Sequence, residues 1–219
     1  KTGEGLIKLG NKDEAIEMLR QVEKDFPKSI RPKQLKALAL ARRGNPEDLD
    51  EAQDILGVLY EQNYLDPETA GIYGRTWMDR YKKSKDIADL RQSRKYYEEA
   101  FEKAPDDYYT GINAAAKSIF LGELDRGKQI AERVEKLEGA TVIPGDYWQT
   151  ATVAEVLLIE GKFKEAADMY QNAVDIAPKE KDSHKSTMTQ AELLLSKMNV
   201  DALVKSQVLK AFEQKVFAE

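Results

Sequence analysis

The 219-residue chain contains one histidine, His184, and no cysteine. Thiolate catalysis, disulfides and cysteine-based zinc sites therefore lack their atoms. One imidazole cannot anchor a zinc ion, which takes three or four protein ligands. His184 lies in the polar run 179–186 and reads as a solvated loop residue. Carboxylates are plentiful, and Glu98-Glu99 and Asp106-Asp107 are adjacent pairs. Neighbouring helical positions do not face each other, so neither pair makes an acid–base couple. Asp106-Asp107 follows Pro105 and precedes a helical pattern, where negative charge complements the N-terminal dipole. With no nucleophile or ligand set beside them, no catalytic residue, metal or cofactor is expected, and the chain does not read as an enzyme.

The remaining chemistry is recognition. Asn113 and Lys117, four residues apart, share one helix face, and with Arg75 they could hold a peptide carboxylate through charge-assisted hydrogen bonds. Such a set needs helices that repeat at a fixed spacing. Pro27, Pro67, Pro105, Pro144 and Pro178 fall at intervals of 40, 38, 39 and 34 residues, and proline stops helices. Before four of them stand Ala15-x3-Leu19-x2-Val22, Ala52-x3-Leu56-x2-Leu59, Ser93-x3-Tyr97-x2-Ala100 and Ala166-x3-Tyr170-x2-Ala173. A small residue, a large one four on and an apolar one three further occupy one helical face. Gly10, Gly44, Gly122 and Gly161 supply turn residues for φ > 0 just past a helix end.

These patterns match the second half of the tetratricopeptide signature, A-x3-F…P. Its first half, W-x2-L-G-x2-Y, appears in degraded form at Tyr73-Gly74-x2-Trp77, Val153-Ala154-x2-Leu157 and Ala114-Ala115-x2-Ser118. The expected fold is an all-α right-handed superhelix of about five to six helix pairs in one domain. Its units run over 1–31 (truncated), 32–67, 68–105, 106–144, 145–178 and 179–219, the last being capping helices. Extra residues at 45–50 and 82–90 read as insertions inside pairs, and 139–145 as one between pairs. The stretch 202–217 has helical spacing at Leu203, Val208, Leu209, Phe212 and Val216. Of the aromatic cluster Tyr96, Tyr97, Phe101, Tyr108 and Tyr109, spacing assigns Tyr97 and Phe101 to the core. The charged run 81–85 reads as a solvated loop, with a basic docking patch as the alternative.

A more specific likeness lies in residues 66–198, about 60% of the chain. It rests on Ile72-Tyr73-Gly74-Arg75-Thr76-Trp77-Met78-Asp79, the Lys-rich segment 81–86, the helix 93–105 and Tyr108-Tyr109-Thr110-Gly111-Ile112-Asn113-Ala114-Ala115, with 148–161 and Ser186-Thr187-Met188-Thr189-Gln190 beyond. Together these resemble the tetratricopeptide-rich central region of the apoptosis signal-regulating kinases, the TRAF-binding domain, and its bacterial homologues. No kinase motif is present. The resemblance implies a regulatory scaffold that receives partners and controls an effector, without implying that TRAF proteins are those partners.

In such solenoids the first helix of each pair lines the inner surface. The inward positions are then Arg75 and Asp79, Asn113 and Lys117, and Trp148, Thr152 and Glu155. The full carboxylate clamp of chaperone-binding relatives, which needs Lys, Asn or Arg on three successive helices, is not matched. The net charge of −5 is interleaved, without the basic stripe that nucleic acid requires. Apolar runs fall far short of the roughly 20 residues that cross a bilayer. Expected partners are therefore a protein or peptide, not nucleic acid or membrane, in the cytoplasm, with the oligomeric state open. The chain opens on Lys1, which reads as a segment of a longer protein. The leading expectation is a protein-interaction scaffold in a larger signalling protein. The alternative is a solenoid that senses a peptide or small ligand in its groove.

Overall fold

The computed structural model describes residues 2–62, 66–138 and 145–216, which form twelve helices and no strand. They are α1 (Gly3–Lys8), α2 (Lys12–Asp25), α3 (Ile30–Arg43), α4 (Asp48–Glu61), α5 (Pro67–Ser84), α6 (Ile87–Lys103), α7 (Tyr108–Phe120), α8 (Leu124–Glu138), α9 (Tyr147–Ile159), α10 (Phe163–Ile176), α11 (Lys181–Lys197) and α12 (Ala202–Val216). Consecutive helices pack as pairs, and the chain divides into two compact units, Lys1–Ala104 and Pro105–Glu219.

Within the first unit, α2 packs on α3 and α4 on α5, so each second helix supports the next pair. The repeat pattern explains how. Ala15, Ala52 and Ser93 are fully buried, and Leu19, Leu56 and Tyr97 fill the space beside them. Ser93 Oγ donates to the carbonyl of Gly74 at 2.7 Å, joining α6 to α5. Gly74 has to lack a side chain here, because a Cβ would lie 2.7 Å from the Tyr97 ring. Tyr96 stacks on Tyr73 with centroids 4.1 Å apart, and Tyr97 and Phe101 are buried as expected.

The turns follow the sequence pattern with informative exceptions. Gly44 ends α3 at φ 77°, the left-handed conformation expected of it, and Gly10, Gly122 and Gly161 behave alike. In the third pair Lys85 takes that place at φ 59°. Residues 82–90 are accordingly not an inserted loop: α5 runs to Ser84 and α6 starts at Ile87, so the extra residues lengthen both helices. The run 81–85 is the last turn and cap of α5, where its lysines complement the helix dipole. Pro67 does not stop a helix but opens α5, the position where its missing N–H costs nothing. Asp66, Asp107 and Asp146 cap α5, α7 and α9 by accepting from the N–H of Thr69, Thr110 and Gln149 at 2.7, 3.2 and 3.0 Å.

The second unit begins in the same way, with α7 on α8, α8 on α9 and α9 on α10. Its last pair departs from the pattern. It is α12 that lies along α10, with Tyr170 and Phe212 rings 5.2 Å apart, while α11 packs on α7 and α9. Val208 and Phe212 of α12 are buried as expected, but Leu203 is 69% exposed because it sits in the first turn, off the buried stripe. The Val216 side chain, Phe217, Pro144 and most of the 139–145 insertion lie outside the described residues.

Candidate functional site

The inner face of the second unit is built from α7, α9 and α11, and a polar network ties these helices together. Lys117 Nζ donates to Asn113 Oδ1 at 2.7 Å, one turn back on α7, and to Gln190 Oε1 of α11 at 2.9 Å. Gln190 Nε2 in turn donates to both carboxylate oxygens of Glu155 on α9, at 2.8 and 2.9 Å. The amide of Gln190 thus stands between a cation and a carboxylate, which fixes which end faces which. Asn113 Nδ2 donates to the carbonyl of Tyr109 at 2.9 Å, so its own amide is oriented too.

Asn113, Lys117, Thr152 and Glu155 are all buried. The sequence reading brings these four to one face, and the structure does place Asn113, Lys117 and Glu155 in one network. It also shows that helix α11 reaches Lys117 and Glu155 through Gln190. Burial pushes the Glu155 carboxyl up to about 7, against the lowering effects of the Gln190 hydrogen bonds and the Lys117 charge.

Further along the same contact, Tyr147 Oη and Thr187 Oγ1 are 2.8 Å apart, and the His184 ring lies 5.5 Å from that of Tyr147. His184 is fully buried on α11, which corrects its reading as a solvated loop residue. His184, Thr187 and Gln190 recur at three-residue spacing and join Ala191, Leu194 and Leu195 on the buried face. A polar stripe of that kind carries no hydrophobic periodicity, so the pattern that finds the other helices misses it.

The other inward positions stay accessible. Arg75 Nε and Asp79 Oδ2 are 3.7 Å apart on α5, and Lys82 Nζ reaches Asp79 Oδ1 at 3.2 Å. These are partly exposed ion pairs that contribute little to stability and leave Arg75 half-exposed. Trp148, at the first turn of α9, is 49% exposed and stands edge-on to Tyr147 with centroids 5.0 Å apart. Tyr109, at the first turn of α7, is 42% exposed. Arg75 and Asp79 belong to the first unit and the other five positions to the second. Among the described residues, no three His, Asp or Glu side chains gather to hold a metal ion, and no helix is long and apolar enough to cross a membrane.

Paired helices with a small-to-large seam and left-handed turn residues define an all-α fold of the tetratricopeptide-like solenoid type. Residues 11–118 match the family model described as Tetratricopeptide Repeats-Sensor. The fold is similar to that of TTC0263, a thermophilic tetratricopeptide protein of Thermus thermophilus, at 19% identity and TM-score 0.66, covering 86% of this chain and 94% of that one. It is also similar to a tetratricopeptide repeat protein from Parabacteroides merdae ATCC 43184, at 12% identity and TM-score 0.58, covering 99% of this chain and 78% of that one. No curated protein matches the chain. The finer likeness to the apoptosis signal-regulating kinases draws no support from these matches.

Proposed function

We propose that the chain is a non-catalytic protein-interaction scaffold, the regulatory module of a larger cytoplasmic signalling protein, whose partner is a protein or peptide rather than nucleic acid or membrane. The observation that carries this reading is the exposure of Trp148 and Tyr109 on the first helices of neighbouring pairs, with Arg75 half-exposed on a first helix of the other unit. Tryptophan, tyrosine and arginine are the side chains that most often dominate binding energy at protein interfaces. Tetratricopeptide proteins generally act as interaction scaffolds, and the single domain with unit boundaries near 31, 67, 105, 144 and 178 is part of the same proposal.

Affinity capture with the wild-type chain against Arg75→Glu and Trp148→Ala variants tests it. The expected result is loss of the same specific partners from one or both variants, with helix content unchanged by circular dichroism. Recovery of an identical set from all three would move the interface off the first helices. The second reading, a ligand sensor, is favoured by the word Sensor in the matching family description and by the buried polar face of α7 and α9. Thermal stabilisation of the purified chain by a metabolite, with no protein present, would select that reading over the scaffold.

A further inference from the structure

In the regular stack of the first unit, each new first helix packs on the second helix of the pair before it. The last pair breaks this rule: α12 takes the place along α10, and α11, besides the usual contact of one first helix with the next at α9, reaches back onto α7. The positions that an incoming partner would read are thereby filled by a helix of the chain itself. We infer that the α7–α9 face is a helix-binding surface with α11 as its resident occupant, and that it takes amphipathic helices presenting a side-chain carboxamide between Lys117 and Glu155. The inference rests on reading the first-helix face of this unit as its binding surface.

The recognition chemistry is explicit in the resident helix. The Gln190 amide accepts from Lys117 at one end and donates to Glu155 at the other, which a carboxylate or an ammonium group could not do at once. A threonine one turn earlier meets the Tyr147 hydroxyl at 2.8 Å. Ala191, Leu194 and Leu195 supply the buried apolar positions further along. A helix laid in a groove and read through anchors spaced three and four residues apart is an established mode of peptide recognition.

The contact is also suited to exchange. Part of it is a set of hydrogen-bonded polar groups whose partners water replaces when the helix lifts, beside the apolar seat of Ala191, Leu194 and Leu195.

A fluorescent peptide of residues 181–197 titrated against full-length chains tests this by anisotropy. In the wild-type chain α11 occupies the face, so the peptide meets only the small fraction that is open. A Gln190→Leu chain, with its own α11 weakened, is expected to bind the wild-type peptide at least about ten-fold more tightly than the wild-type chain does. A peptide carrying the same Gln190→Leu change is expected to bind that chain at least about ten-fold more weakly than the wild-type peptide. A Thr187→Val chain, which removes one hydroxyl, serves the same comparison if the first variant loses helix content. Equal binding of the two peptides, or no binding to a variant that keeps its helix content, overturns the inference. A chain that exchanges peptide in this way yet captures no protein upholds the exchange and sinks the scaffold reading alone.

Discussion

Replacing Lys117 with methionine is expected to destabilise the second unit by about 3 to 5 kcal/mol near pH 8, the loss typical when one partner of a buried charge network is removed. Methionine keeps the length and apolar stem of lysine, so the cavity contribution is small. What is lost is the donor that serves both Asn113 Oδ1 and Gln190 Oε1, together with the positive charge that opposes desolvation of Glu155. The effect is expected to depend on pH with a definite sign. In the wild type Glu155 holds its proton to about 7 when folded, against an ordinary 4.5. Its contribution to stability is therefore greatest below about 4.5 and declines as pH rises towards about 7, after which it is level. Without Lys117 the carboxyl is pushed higher still, so the decline continues above 7, and the gap between variant and wild type, level from pH 5 to about 7, widens from there to pH 8. Urea unfolding followed by tryptophan fluorescence measures this. The chain has two tryptophans, Trp77 in the first unit and Trp148 in the second, so a Trp77→Phe background isolates the second unit.

The second large effect is expected at Gly127, on α8. A Cβ there would lie 2.4 Å from Ile119 Cγ1 and 3.0 Å from the carbonyl oxygen of Ala115, both on α7. Side chains can turn aside, but a helix backbone cannot, so Gly127→Ala must push α8 off α7. The expected cost is about 2 to 3 kcal/mol, at the upper end for overpacking a well-filled core. Gly→Ala in an unhindered helix normally stabilises by up to about 1 kcal/mol, so the direction alone discriminates. A lowered urea midpoint for Trp148 fluorescence is the expected reading, with the Trp77 signal of the first unit unchanged.

Gly127 also shows where the sequence pattern stops being readable. Gly127-x3-Ala131-x2-Val134 is the same small–large–apolar seam found in four other helices, and Ala131 and Val134 are fully buried. It escapes a search for the repeat because its small residue is glycine, which reads as a helix breaker, and its large residue is only alanine. The helix pairs themselves are legible from proline spacing, turn glycines and the four stronger seams, since each reports a local backbone or packing requirement. Lys85 is not, because a lysine at φ 59° carries no glycine signal. The pairing of Asn113 with Lys117 is legible, since the two stand one turn apart on one helix. Their burial is not, because it depends on where α11 lies, and that is a long-range matter of which helix of the last pair meets α10. His184 escapes the sequence for the same reason, as a polar residue whose environment is set by Tyr147 on another helix.

Native-state hydrogen exchange on the full chain tests the central claim most directly, that the polar face of α7 and α9 is a binding surface held by a resident helix. Amides of α11 are expected to exchange through a partial opening while those of α7 and α9 remain protected, so that α11 shows a distinctly lower opening free energy than the helices it covers. If α11, α7 and α9 instead exchange together with one common opening free energy, α11 is an integral part of the core rather than an occupant, which contradicts the claim.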